Sequence, residues 1–333
     1  METIRFKCEI VTPMFLAGAD GRTPELRASS IKGALRFWWR AMHGHLPIRD
    51  LHENEAALFG GIGDNAKKSR IIIRTSQTPL KSEKTLFPEA NYYITTKGQR
   101  RIINLLEYLA YGTYDYDKQS KSNQFNRSYY SVKQKFEIIV TIPDEPSIKK
   151  SLFQLLFLVS TFGGLGARNR NGYGRFYVEN LRNNADFGDL IFFLQSLKKG
   201  ARAAYTCFSN DMKMLQTNYS YDSWSDTLSE LANAYKSARE TIDHPHYGDN
   251  RQYISSPLMI DKENCSFLSR HSKPYFFGIL KNGIKYDGYI LFLPYQYCHN
   301  SEYTLPVNAL YNYDNITQKM NVEMGKSLKL VIP

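Results

Sequence analysis

The order of strand-like and helix-like segments in the first 180 residues is the strongest constraint on the fold. Alternating apolar residues predict four strands, at IRFKCEIVTP, SRIIIRTS, KQKFEIIVTIP and YGRFYVENL. Ser29 or Ser30 could cap a helix between the first two strands, and Ser147 opens an apolar helix that ends at Gly163 and Gly164. The order strand, helix, strand, strand, helix, strand predicts a ferredoxin-like unit, with two helices on one face of an antiparallel sheet.

The rest of the chain predicts a second unit of the same class. The polar segment 183–189, NNADFGD, indicates a boundary, so we expect domains at 1–184 and 185–333. A long insertion, about 77–132, interrupts the first domain, and its later half is polar, basic and rich in Tyr. The second domain shows a helix near 225–242, a hairpin turning at 281–283 and a last strand, SLKLVIP. The predicted class is α+β, with two fused ferredoxin-like (RRM-like) domains, although pattern alone does not order the second domain.

Charge and composition narrow the class of partner. The 333 residues carry a formal net charge of +11, which favours a polyanion such as a nucleic acid or an anionic membrane. No apolar run approaches the roughly 18 residues of a spanning helix, so we expect a soluble, cytoplasmic chain without a membrane partner. The four cysteines are scattered and form no CxxC pair, so we expect neither a metal site nor a cofactor.

The first predicted helix has two distinct faces. Ile31, Leu35, Trp38 and Met42 form its apolar stripe. Lys32, Arg36 and Arg40 are four residues apart on another face, and SSIKGALRFWWRAMHG contains no acid to compensate them. An external anion would relieve the repulsion, whereas the alternative is an ordinary solvated basic face. The adjacent aromatics 37–39 cannot all enter the core, so one of them either stacks on a base or packs against the second domain.

The loop GGLGARNRNGYGR joins the second helix to the fourth strand. Glycines such as Gly164 and Gly166 allow positive φ and a close approach of the backbone to a ligand. Arg168, Arg170 and Arg175 could bind phosphates. A dinucleotide fingerprint is excluded because Asn169 stands where the last glycine belongs, and no GK[ST] follows to make a Walker loop.

Three segments resemble the RAMP superfamily of CRISPR proteins: VTPMFLAGAD, ELRASSIKGALRFWWRAMHG and GGLGARNRNGYGRF. The first two are similar, more narrowly, to the first-numbered subunits of type III-B (Cmr) effector complexes. The resemblance implies two fused ferredoxin-like domains and a place near the 3′ end of the guide RNA. It also implies contact with crRNA or single-stranded target RNA and with other Cmr subunits. The predicted RNA-binding residues are Arg27, Lys32, Arg36, Trp39, Arg40, Gly164, Gly166, Arg168, Arg170 and Arg175.

An enzymatic alternative remains open. Some RAMP proteins are metal-independent endoribonucleases that process guide precursors with a histidine general base, and His43 and His45 are the candidates here. Histidines that end a helix also interact favourably with its dipole. Asp20 is a single acid after LAGA, and we expect it to fix its loop by side-chain to backbone hydrogen bonds. The narrower resemblance favours a non-catalytic subunit.

Overall fold

The protein is mixed α+β with antiparallel sheets, as the sequence predicts. The computed structural model describes residues 1–62, 66–76, 79–96, 98–120, 122–179, 181, 189–242, 250–255, 272–297 and 309–333. The strands are β1 Glu2–Ile10, β2 Ile72–Thr75, β3 Ser82–Glu83, β4 Asn91–Thr96, β5 Gln99–Asn104, β6 Tyr114–Asp117, β7 Ser122–Phe125, β8 Tyr129–Tyr130, β9 Lys135–Ile142, β10 Phe176–Val178, β11 Lys213–Gln216, β12 Tyr275–Asn282, β13 Lys285–Phe292 and β14 Lys329–Ile332. The helices are α1 Ala28–Met42, α2 Ile48–Phe59, α3 Leu105–Leu109, α4 Pro146–Leu158, α5 Leu190–Ser196, α6 Trp224–Thr241, α7 Arg251–Ile254 and α8 Ala309–Met324.

The first four-stranded sheet has the order β10-β1-β9-β2, and every neighbouring pair is antiparallel. All four strands fall where alternation predicts them. Phe6 of β1 lies opposite Ile138 of β9, and both side chains are buried. The strand that comes first in the chain is therefore central and is covered by α1 and α4.

The second four-stranded sheet has the order β12-β13-β11-β14, again wholly antiparallel. The helix α6 and the hairpin β12–β13 confirm the segments predicted for this half. The turn is shorter than predicted, because Asn282 pairs directly with Lys285 and only Gly283 and Ile284 lie between the strands. Gly283 has a φ of 61°, which a two-residue hairpin turn favours.

The start of α1 differs from the serine cap that the sequence predicts. The helix begins at Ala28, and Arg27 is its N-cap residue with no side-chain cap. The carbonyl of Arg27 accepts hydrogen bonds from the amides of Ser30 and Ile31, at 3.1 and 3.2 Å. The predicted cap was wrong because both serines lie within the first turn.

The two halves of the chain pack together, because each of two hydrophobic clusters contains residues of both halves. The Trp38 ring of α1 lies 5.3 Å from that of Phe276 in β12, centroid to centroid. Lys281 of β12 also pairs with Glu9 of β1 at 2.6 Å. Of the predicted boundary segment 183–189, only Asp189 is among the described residues, where it caps α5, so the division at 184 stays a prediction.

The insertion between β2 and β9 contains α3 and most of the short strands. Its ribbons are β4–β5, β6–β7 and β3–β8. Tyr92 of β4 donates a hydrogen bond to Glu240 of α6 at 2.7 Å. The insertion therefore packs against the second half of the chain.

Candidate nucleic-acid interface

The basic face of α1, formed by Lys32, Arg36 and Arg40, makes hydrogen bonds to side chains from outside the helix. Arg36 Nε and Arg40 Nη1 both donate to Oε1 of Glu55, at 2.6 and 2.7 Å. Lys32 Nζ donates to the Ser69 hydroxyl at 2.7 Å, and its pKa is lowered by burial and then by repulsion from Arg36. The Glu55 side chain is only 6% exposed, while those of Arg36 and Arg40 are 38% and 39% exposed.

Glu55 compensates part of the positive charge on the basic face of α1. The basic face is not uncompensated, because α2 supplies a carboxylate fifteen to nineteen residues downstream. Part of the compensation that the sequence assigned to an external anion therefore comes from Glu55 within the chain. The two arginines are nevertheless half exposed, so the face can still meet an anion.

Gly33 leaves an open space on this side of α1. It is exposed, and a Cβ atom built on it would meet no heavy atom within 4 Å. Its spacing from Arg36, Phe37 and Arg40 places it on the same face. Since glycine in a helix interior is less stable than alanine by roughly 0.5–1 kcal/mol, packing gives no reason for a glycine here.

The three adjacent aromatics of α1 are taken up by the protein itself. Trp39 is 5% exposed, its ring stacks on His43 at 4.2 Å, and it meets Phe59 edge-on. The prediction that Trp39 binds RNA is therefore corrected, because a buried ring with a stacked neighbour is not free to stack on a base. Phe37 packs 6.1 Å from Phe276, which is the second of the two roles considered for it.

The glycines of the loop serve its internal packing. Gly164 and Gly166 have positive φ values of 62° and 93°, as the sequence predicts. A side chain on Gly164 would strike the Arg175 guanidinium, and one on Gly166 would strike the carbonyl of Phe15. The close approach that these glycines allow is thus to the protein's own atoms.

Arg175 is a buried structural residue. It is 0% exposed, and its Nε and Nη2 donate to the carbonyl of Phe277 at 3.0 and 2.5 Å. Burial lowers its pKa to about 9. Its predicted role in RNA binding is corrected, because a guanidinium without solvent contact cannot reach a phosphate on the surface.

Arg170 connects the loop to both halves of the core. Its Nη1 donates to the carbonyl of Lys273 at 2.5 Å, and its guanidinium lies 4.5 Å from the Phe276 ring and 5.7 Å from the Phe37 ring. Burial lowers its pKa to about 10. Because Phe37 follows Arg36 directly, the structure brings the loop and α1 into contact, which the sequence left as a prediction.

Arg168 and Arg27 remain partly accessible. Arg168 has a left-handed φ of 58°, and burial followed by repulsion from Arg127 lowers its pKa. Within the described ranges, no hydrogen-bond acceptor meets its guanidinium. Arg27 is 36% exposed and lies 3.9 Å from Glu25.

Lys273 is the main feature of this region that the sequence did not reveal. It is 8% exposed, and its Nζ lies 3.9 Å from the Phe277 ring centroid and 4.5 Å from that of Tyr235. No hydrogen-bond partner for Nζ exists among the residues that the structure describes. Its pKa is well below the usual range, first through burial and then through repulsion by Arg239 and other arginines. A lone lysine in SRHSKPYFF carries no sequence signal of this.

The histidines and Asp20 occupy defined but separate positions. His43 Nδ1 lies 2.8 Å from the Trp39 carbonyl and donates to it, and burial is the main cause of its lowered pKa. The His43 and His45 rings are 6.3 Å apart. Asp20 Oδ1 accepts from the amides of Arg22 and Thr23, each at 2.9 Å, which confirms its predicted role in the loop. A hydrogen bond from the Thr23 hydroxyl, followed by these two backbone hydrogen bonds, lowers the pKa of Asp20 to about 2.

The described part of the chain has no cluster of metal-ligating side chains and no membrane-spanning helix. It contains no group of three or more His, Cys, Asp or Glu side chains placed to hold a metal ion. None of its helices combines the length and the apolar character needed to cross a membrane.

The RAMP superfamily model matches residues 7–177. CRISPR system Cmr subunit Cmr1-2 of Pyrococcus furiosus is 30% identical over 187 residues, which cover 53% of this chain and 95% of that protein. Subunit Cmr1-1 of the same organism is 29% identical over 215 residues, covering 58% of this chain but only 55% of that protein. The apo crystal structure of Cmr1 from P. furiosus has a TM-score of 0.57 at 21% identity, over 99% of this chain and 98% of that one, which indicates the same fold.

Proposed function

Because this chain belongs to the RAMP superfamily, we propose that it is a non-catalytic RNA-binding subunit of a type III-B CRISPR (Cmr) effector ribonucleoprotein. Two similar proteins of P. furiosus are Cmr subunits by name. The ligand is the 3′ region of crRNA or single-stranded target RNA, and the other partners are neighbouring Cmr subunits in the cytoplasm. We also interpret the two four-stranded sheets as two ferredoxin-like units, because the same strand, helix, strand, strand, helix, strand order builds both.

The observation that carries RNA binding is the half-exposed basic face of α1. A guanidinium has five N–H donors, and Arg36 and Arg40 each use one on Glu55. The other donors can meet phosphate oxygens, and Gly33 leaves bare backbone on the same face of the helix. Arg168 and Arg27 supply further accessible charge. A backbone-binding surface of this kind would leave sequence choice to guide pairing.

The test is the affinity of the purified chain for a short single-stranded RNA, measured by fluorescence anisotropy over a range of salt concentrations. The variant Lys32→Gln/Arg36→Gln/Arg40→Gln removes the basic face. Glutamine is chosen because three new carboxylates beside Glu55 would destabilise the helix pair. The matched control, Lys319→Gln/Lys326→Gln/Lys329→Gln, removes three exposed charges from α8, β14 and the turn between them.

We expect the α1 variant to bind at least about tenfold more weakly, while the control stays within about twofold. The slope of log K against log salt concentration should become shallower by about 0.7 for each phosphate that the variant no longer neutralises. Circular dichroism must show that both variants remain folded. An equal decrease in RNA affinity in the two triple variants would mean that total charge, not this face, binds RNA.

A further inference from the structure

Glu55 does more to the basic face than reduce its charge. A single buried oxygen receives one N–H from Arg36 and one from Arg40, which are four residues apart on α1. Like charges at this spacing repel each other. Because both donors converge on the same atom, the two guanidiniums are held side by side with their other donors directed elsewhere.

We propose that Glu55 is a positioning residue that holds Arg36 and Arg40 as a paired clamp for an RNA phosphate. The proposal rests on the proposed function. Glu55 belongs to α2, whose buried residues Leu51, Ala56 and Phe59 fix that helix against the core. A side chain that is already fixed loses less conformational freedom when its ligand binds, so the clamp gains affinity from the order that Glu55 imposes.

The rival role of Glu55 is simple neutralisation, and it predicts the opposite sign. If the arginines acted only as diffuse positive charge, removing the carboxylate would raise the positive potential and strengthen RNA binding. If Glu55 positions them, its removal frees two repelling side chains and weakens RNA binding despite the added positive charge. Affinity therefore separates the two roles without any structural measurement.

The experiment compares Glu55→Gln with Glu53→Gln in the RNA anisotropy assay. Glu53 lies on the same helix, where it pairs with the exposed Arg49 at 3.0 Å. Each variant removes one negative charge, so both change the net charge equally. We expect Glu55→Gln to bind RNA at least about fivefold more weakly, and Glu53→Gln to bind as tightly as the wild type or slightly more tightly. Glu55→Asp keeps the charge but withdraws the carboxylate by one methylene, so it too should bind RNA more weakly.

A double-mutant cycle shows whether the effect passes through the arginines. In an Arg36→Gln/Arg40→Gln background, Glu55→Gln should change RNA affinity by less than about twofold, whereas general damage to the fold would still lower it. If the wild type fails to bind RNA, the proposed function fails. If the wild type binds, but Glu55→Gln and Glu55→Asp bind at least as tightly, only the positioning role of Glu55 is overturned.

Discussion

The guanidinium of Arg175 donates two hydrogen bonds to the backbone carbonyl of Phe277, at 3.0 and 2.5 Å. Arg175 precedes β10 in the first sheet, and Phe277 lies within β12 at the edge of the second. The glycine-arginine loop is thus fastened to the other half of the chain from inside the core. Of its arginines, Arg175 is fully buried, whereas Arg168 and Arg170 are partly exposed, and Arg170 also donates to the carbonyl of Lys273.

Replacing Arg175 should therefore lower stability rather than RNA affinity. We expect Arg175→Met to reduce the free energy of unfolding by about 3 kcal/mol, because the carbonyls of Phe277 and Asn169 would be without their charged donor. Arg175→Lys should also be destabilising, since an ammonium lacks the fork geometry. Urea denaturation measures the decrease, with Arg168→Met as the control of smaller effect. RNA affinity, measured at urea concentrations well below the unfolding midpoint, should change by less than about twofold. A tenfold decrease under those conditions would indicate that Arg175 contacts RNA.

Lys273 should make stability depend on pH. Its pKa is lowered in the folded chain, so at any pH between that lowered value and the usual pKa of about 10.4, folding releases a proton that the unfolded lysine holds. This cost is largest below the lowered pKa and disappears as pH rises to the usual value. Lys273→Met removes the cost and an amine that has no hydrogen-bond partner among the described residues, so it should be more stable than the wild type by about 1–3 kcal/mol near pH 7.

Denaturation of both proteins at several pH values checks this expectation for Lys273. The difference in unfolding free energy between wild type and Lys273→Met should shrink as the pH rises from the lowered pKa of Lys273 towards about 10.4. A difference that does not vary with pH would show that Lys273 keeps its proton in the folded protein.

A substitution at Gly33 should change the stability and the RNA affinity of the protein in opposite directions. We expect Gly33→Ala to raise the free energy of unfolding by roughly 0.5–1 kcal/mol, because alanine is favoured in a helix interior and the site has room for a methyl group. The same methyl group should weaken RNA binding if the RNA backbone lies against the bare helix. Thermal denaturation and RNA anisotropy on the same samples measure both effects. A variant that is stabilised and binds RNA normally would place the RNA elsewhere on α1.

The nuclease alternative has its own test in His43 and His45. We expect no cleavage of a guide-precursor RNA in EDTA by the wild type, by His43→Ala or by His45→Ala, since His43 is stacked on Trp39 and hydrogen-bonded to the helix backbone. Gel analysis of end-labelled RNA detects the products. Metal-independent cleavage by the wild type that either histidine change abolishes would assign catalysis to this chain.

The sequence predicted the parts of the site that depend on local spacing. Periodicity correctly placed Ile31, Leu35 and Trp38 in the core, and the glycine content of the loop correctly predicted positive φ at Gly164 and Gly166. Sequence reasoning failed where a partner comes from a distant segment. Glu55 could have been suspected only as an acid in IRDLHENEAALF, and that segment was not predicted to be a helix.

The sequence by itself determined the α+β class, the order of elements in the first sheet, the basic face of α1 and the glycine-rich character of the loop. These follow from the period of apolar residues and from backbone preferences, which act over a few neighbouring residues. Only the tertiary structure decided which charged side chains are accessible to a ligand. It buried Arg175 and Lys273, joined Arg36 and Arg40 to Glu55, and placed Trp39 in the core, because burial and ion pairing depend on segments that meet only when the chain has folded.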